Sequence, residues 1–303
     1  MAVRRTDEQA TVGQHITVQS GAGRRGQWAE QLPFDVGRRE PLTLDLQSLD
    51  FAEPLFNVRL TASLHRQAAS GRDVRVLAPS DPQVVNYMAR MGIGTGLPAC
   101  CNFVLPSVVP HDRRDVLIPV THLERVEEVE PLAERFADLL AAQLGQDASG
   151  VADTLVLSLA ELCDNAATHG QSPYGTYVAA QRYQATRTVL AIGDQGIGIP
   201  SHLRRKRRSL LDDGPALALA TERGVSGTLD PDRGEGYGAI LATLRRLRLP
   251  QATLRIWSGG GRLNLVLVHG EVSHRAAQTV PEETPGAWVV IDLSTKVVPY
   301  ASS

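Results

Sequence analysis

The chain has only three cysteines in 303 residues: Cys100, Cys101 and Cys163. Two of them are adjacent, and sequence neighbours rarely bridge. An odd count is no disulfide framework, so a reducing compartment is expected. No cysteine–histidine spacing resembles a zinc site. Long apolar runs are also missing. No window holds the roughly 18 apolar residues that would cross a bilayer, and the opening MAVRRTDEQATVGQH lacks the apolar centre of a signal peptide. A soluble, cytoplasmic protein is expected. Charge of one sign is absent as well: Lys and Arg total 31, Asp and Glu 33, for a net charge of −2. Nothing in that balance favours direct contact with nucleic acid or with an anionic membrane. Internal repeats and low-complexity tracts are absent. What remains is a chain that is 43% hydrophobic, enough to build a packed core. Its length suits two domains or one large one.

Residues 1–14 read as a flexible polar tail. Residues 15–112 read as a small α/β unit. LTLDL (42–46) and VRVLAP (74–79) are strands, and 54–70 has a helical pattern that stops at Gly71. Asp81 or Ser80 caps a second helix that opens at Pro82 and ends at Gly92. Strand and helix alternate at the spacing of a parallel sheet. A stretch rich in Gly, Pro and Cys (92–112) precedes the boundary, and residues 113–303 form the second unit.

That unit opens with the strand VLIPV (116–120). Leu123 to Leu144 then reads as one long amphipathic helix closed by Gly145, and 151–170 as another. TYVAAQRY and TRTVLAIGD have strand character. LATLRRLRL (241–249) reads as a helix. ATLRIWS, RLNLVLVHG and AWVVIDLS read as three more strands, with Gly259, Gly260 and Gly261 turning between the first two. Mostly antiparallel strands with helices on one face make an α/β sandwich.

The chemistry concentrates in three places. In ELCDNAATHG (161–170), Glu161 and Asn165 stand four apart and share one helix face. An amide oxygen is a hard, neutral magnesium ligand, and a neighbouring carboxylate can take a proton. DQGIG follows at 194–198 and GEGYG at 234–238. Each alone is weak. The order of all three points to a magnesium–nucleotide site.

This order, E-x-x-x-N, D-x-G-x-G, G-x-G-x-G, resembles the GHKL (Bergerat) ATP-binding domain over about 113–296. That family includes gyrase-type topoisomerases, mismatch-repair ATPases, sensor histidine kinases and anti-sigma serine kinases. ELCDNAATHG, with His169 four residues past the asparagine, looks most like the last branch. The resemblance implies ATP and Mg2+ as cofactors. Asp194 would accept a hydrogen bond from the adenine amino group, a contact worth roughly 1.5–3 kcal/mol. Gly196 and Gly198 would let the backbone turn beneath the base. Gly234, Gly236 and Gly238 would form a lid whose N–H groups face the phosphates. Asn165 would hold the metal. Glu161 would be the catalytic base. Arg223 and Arg233 are candidates to meet the γ-phosphate. PGAWVVIDL (285–293) resembles the closing strand, with Gly286-Ala287 where the family usually has Gly-Thr.

His122 invites comparison with a phosphoacceptor histidine, but the chain before the nucleotide motifs holds no dimerising hairpin. RRKRR (204–208) reads as a solvated face near the nucleotide entrance. The stretch 42–79 resembles, more weakly, the STAS domain of anti-sigma-factor antagonists. The turn that carries a phosphorylated serine in that family corresponds here to FAEPLF (51–56), which has no hydroxyl and whose one charge is Glu53.

The fold class implied is therefore α/β: a STAS-like domain followed by a GHKL sandwich. The activity implied is that of an ATP-dependent serine/threonine protein kinase or a weak ATPase. The alternative is a nucleotide-gated module that holds a partner without phosphoryl transfer. The implied partner is a protein, a sigma factor or an anti-sigma-antagonist-like protein. The first unit would be either an internal docking partner or a platform for a homodimer.

Overall fold

Segments 176–183 and 187–194 carry apolar side chains in unbroken runs, so both faces of these strands must be covered. The computed structural model shows how. It describes residues 13–18, 32–34, 40–107, 116–145, 172–206, 212–222 and 236–297. The fold is mixed α/β, with one parallel and one antiparallel sheet.

The first sheet is parallel, in the order β1 (Gln14–Thr17), β2 (Leu42–Asp45), β3 (Val74–Leu77), β4 (Cys101–Asn102). Helix α1 (Pro54–Ala69) joins β2 to β3, and α2 (Pro82–Arg90) joins β3 to β4. Pro54 and Pro82 each start a helix where a missing N–H costs nothing. The Asp81 carboxylate caps α2 by accepting the Gln83 N–H at 2.7 Å. Gly71, at φ +76°, ends α1 in the left-handed region expected of it.

The second sheet has the order β5 (Leu117–Leu123), β6 (Thr176–Tyr183), β7 (Arg187–Asp194), β9 (Glu271–Ser294), β8 (Gln251–Val268), with every described pairing antiparallel. One face packs on α3 (Glu130–Leu144) and α6 (Gly236–Leu247). Val178, Leu190, Ile192, Val289 and Ile291 meet Phe136, Leu139 and Leu244 there. Burying Phe136 fully contributes about 2–3 kcal/mol. The alternate residues Tyr177, Ala179, Val189, Ala191, Trp288 and Val290 face the other way, onto α1 and the parallel sheet. α1 is buried from Pro54 through Leu64 around its whole girth, because it lies between the two sheets and belongs to both. Its His65 Nδ1 lies 2.8 Å from the Tyr177 hydroxyl of β6. Helices therefore cover one face of the antiparallel sheet, and the N-terminal unit covers the other.

Glu53, the charge of the FAEPLF turn, is the N-cap residue of α1 and only 2% exposed. It lies within electrostatic reach of Tyr87, Tyr183 and Arg187. A carboxylate so placed is an internal charge and offers nothing to a partner's surface. The Arg187 guanidinium grips both oxygens of Asp292 at 2.7 to 3.1 Å.

Three expectations are corrected. The long helix from Leu123 begins only at Glu130. β5 continues to Leu123, and a short 3-10 turn (Val126–Glu128) follows, held by the Glu128 carboxylate, which accepts the N–H groups of Glu124 and Arg125. Gly259, Gly260 and Gly261 are not a turn: β8 runs through them with register shifts. They are small because helix α5 (Asp213–Ala220) and β9 press on them. A Cβ on Gly260 would stand 2.7 Å from the Val280 carbonyl oxygen, and one on Gly261 2.8 Å from Leu217. The real turn is His269-Gly270, with φ of 50° and 84°, the paired positive values of a two-residue hairpin. The GEGYG segment is also not a pre-helical loop throughout, since α6 opens at Gly236 and takes Gly236 and Gly238 into its first turn.

Candidate functional site

β7 ends at Asp194, opposite Thr176 of β6. The chain then turns sharply through Gln195–Gly198 into helix α4 (Ile199–Lys206). Asp194 Oδ1 accepts the Gly196 N–H at 2.7 Å, and the carboxylate also receives the Ala287 N–H from β9. Burial outweighs these two donors and pushes the carboxyl up to about 6. The residue as a whole keeps some surface exposure while its carboxylate sits below it, and the direction of the shift follows the carboxylate. A carboxylate offers about four lone-pair positions. Two N–H groups leave lone-pair positions for a further donor, and the carboxyl stays shifted upward by burial despite them.

The turn is shaped by glycine and held by serine. Gly198 adopts φ +76°, and a Cβ there would stand 2.6 Å from Ser258 Oγ and 2.9 Å from the Gly286 carbonyl oxygen. Ser258, fully buried at the end of the first run of β8, donates its hydroxyl to Gly286 O at 2.5 Å and accepts the Ile199 N–H at 2.9 Å. One side chain thus ties β8, β9 and the start of α4 together. Gly196 has no positive φ; its part is its N–H.

Ser258 had no signal in the sequence. A serine at the end of an apolar strand looks like a boundary residue. Replacing it by alanine leaves a buried N–H and a buried carbonyl without partners. Ser258→Ala is expected to cost about 2 kcal/mol, read as a lower denaturant midpoint with unchanged slope. An unchanged midpoint would show that the turn holds without the clamp.

The structure brings together Asp194, Gly196 and Gly198, and places Gly236 and Gly238 at the opening of α6, whose Tyr237 packs beside Ile199 and Leu203 of α4. Glu161, Asn165 and Gly234 lie outside the described residues, as do Arg223, Arg233, His169 and Cys163. Among the described residues no group of three or more His, Cys, Asp or Glu could hold a metal ion. His122 does not precede a helix: it lies within β5, its Nε2 donates to the Tyr174 carbonyl at 2.7 Å, and its ring stacks on Tyr177. Arg204, the first arginine of RRKRR, pairs with Asp213, which also accepts the Gly260 N–H at 2.7 Å. That arginine braces α4 against α5. Among the described residues no helix is long and apolar enough to cross a membrane.

No family model matches the chain, and no curated protein matches it. Solved structures do. The B-subunit of the DNA gyrase from Myxococcus xanthus aligns with 55% of this chain and 43% of its own, at 13% identity and a TM-score of 0.26. The ATPase region of Saccharomyces cerevisiae topoisomerase II aligns with 47% of this chain and 36% of its own, at 11% identity and a TM-score of 0.28. The chain thus spans less than half the length of either structure.

Proposed function

We propose that the chain binds Mg–ATP at the turn after β7 and is a regulatory serine/threonine protein kinase of the anti-sigma type. The observation that carries this reading is the Asp194 carboxylate, buried at a strand end, held by two backbone N–H groups and pushed upward by burial despite them. It occupies the first position of D-Q-G-I-G. The motif order E-x-x-x-N, D-x-G-x-G, G-x-G-x-G supports the same site from the sequence.

In this reading Asp194 recognises the adenine edge, and Gly198 with Ser258 keeps the turn open beneath the base. Asn165 holds magnesium. Glu161 orients and deprotonates the acceptor hydroxyl. Bound ATP supplies the transferable γ-phosphoryl group. Backbone N–H groups of the glycine segment at 234–238, which runs into the first turn of α6, would face the phosphates, and the surface there would differ with and without them. The protein partner would be a sigma factor or an anti-sigma-antagonist-like protein in the cytoplasm. We keep the division at residue 112: a STAS-like unit, all parallel in its described strands, ahead of the GHKL unit.

Calorimetric titration of Mg–ATP into the full chain tests the site. Micromolar binding is expected, and no heat at high protein concentration would sink the assignment. Incubation with γ-labelled ATP and candidate partners then separates kinase from binding module. Label on a partner serine or threonine supports transfer. Tight ATP binding with no label on any partner would leave a nucleotide-gated module.

A further inference from the structure

Gln195, the second residue of the nucleotide turn, is 4% exposed and points away from the turn into the N-terminal unit. Its Nε2 donates to the carbonyl of Ala62 in the middle of α1, at 2.9 Å. That carbonyl already belongs to the helix ladder, so α1 does not need the bond. The amide's Oε1 is buried with no hydrogen-bond partner. An apolar side chain of the same length would fill this place without leaving an orphan acceptor, which costs roughly 1–3 kcal/mol. The position therefore bears a cost that packing alone does not explain.

A second contact links α1 to the strand segment on the other flank of the turn. Arg59 of α1 sets its guanidinium 5.1 Å from the Trp288 ring centre and 5.0 Å from that of Phe34. Trp288 is fully buried beneath Gly193, where a Cβ would run into its ring. Its Nε1 donates to the Pro285 carbonyl at 2.8 Å. That bond fixes residues 285–288, the segment that delivers the Ala287 N–H to Asp194. α1 thus touches residues 193–195 through Gln195 and through Trp288, on both flanks of Asp194.

We infer that α1 of the N-terminal unit is the positioning wall of the nucleotide turn, with Gln195 as the positioning residue that links them. Nucleotide affinity then depends on how α1 sits, and whatever the N-terminal unit binds acts on the nucleotide site through this helix. The regulatory half of the inference rests on the ATP reading; the positioning half does not.

The test uses the full chain with Gln195→Met, which keeps length and removes the donor, and Arg59→Met as an independent second variant. Hydrogen exchange is followed at the amides of 194–199 and, for reference, in β6 and β7. Turn amides that exchange roughly three- to tenfold faster in each variant, with β6 and β7 unchanged, are the expected result. Mg–ATP affinity should fall by a similar factor. Turn exchange equal to the parent overturns the inference. So does a uniform rise across β6, β7 and the turn, which would reduce both residues to ordinary core packing. If the parent binds no Mg–ATP, the functional reading fails, and turn exchange still decides the positioning.

Discussion

Asp194→Asn should fold more stably than the parent near neutral pH and bind adenine nucleotide far more weakly. Both effects come from one carboxylate. In the folded chain its pKa is raised to about 6 because burial outweighs the Gly196 and Ala287 N–H groups. In the unfolded chain it returns to the ordinary value of 3.8. Between those values the folded state holds a proton that the unfolded state has released. The stability contributed by protonated Asp194 is therefore fully present below the unfolded pKa and is lost as pH rises through the folded one. A shift of this size corresponds to about 2–3 kcal/mol, and the partial exposure of the residue lowers that to about 2 kcal/mol. Asparagine carries no charge and keeps one oxygen to accept the Gly196 N–H. Thermal melts of the two proteins should diverge from about pH 4 to pH 7, with the variant ahead at the upper end. Nucleotide binding goes the other way. A hydrogen bond to a charged acceptor contributes about 1.5–3 kcal/mol, so the variant should lose roughly 10- to 150-fold in affinity. In the parent, affinity should fall as pH drops below about 6. A variant that melts below the parent at neutral pH would make Asp194 a structural carboxylate and remove the basis of the proposed adenine contact.

What could be seen in the sequence follows from how each element meets water. β6 and β7 are apolar on both faces, and their runs stand out. α2 announces itself by a capping aspartate and a first-turn proline. DQGIG is visible because Asp and Gly sit where no packing pattern would put them. The first half of β9 could not be seen in this way: residues 271–283 are nearly all exposed, and EVSHRAAQTVPEE has no apolar alternation to betray a strand. Its partner β8 was broken at three glycines, because close approach by a neighbouring chain and a turn both call for glycine, and only the fold distinguishes them. α1 carried a helical pattern, but a helix between two sheets buries polar residues too. Asn57, Arg59, Thr61 and Gln67 gave no sign of their burial. Ser258 and Gln195 were missed for a related reason. Each matters for what its side chain bonds across 59 or 133 residues of sequence, and no local pattern encodes a partner so distant.

Gly286→Ala should be strongly destabilising. The residue sits where β9 passes Asp194, at φ +71°. A side chain in that conformation costs roughly 1–2 kcal/mol in itself. A Cβ would in addition collide with the Asp194 carbonyl oxygen and stand 2.7 Å from the Gln195 Cα. Both are backbone atoms, which cannot swing aside as a long side chain could. Relieving the clash moves β9 away from the turn, and that movement draws the Ala287 N–H from Asp194 and the Gly286 carbonyl from Ser258. Overpacking of this kind adds about 1–3 kcal/mol. The sum is about 2–5 kcal/mol, a fall on the order of 10 °C in Tm. Gly71→Ala is the control that separates the two causes. Its φ is +76°, nearly the same, but a Cβ there meets nothing within 4 Å. It should lose only the conformational part, about 1–2 kcal/mol. Equal losses in the two variants would mean that β9 yields freely at this point, so that the contact between Gly286 and the turn does not hold Asp194 in place.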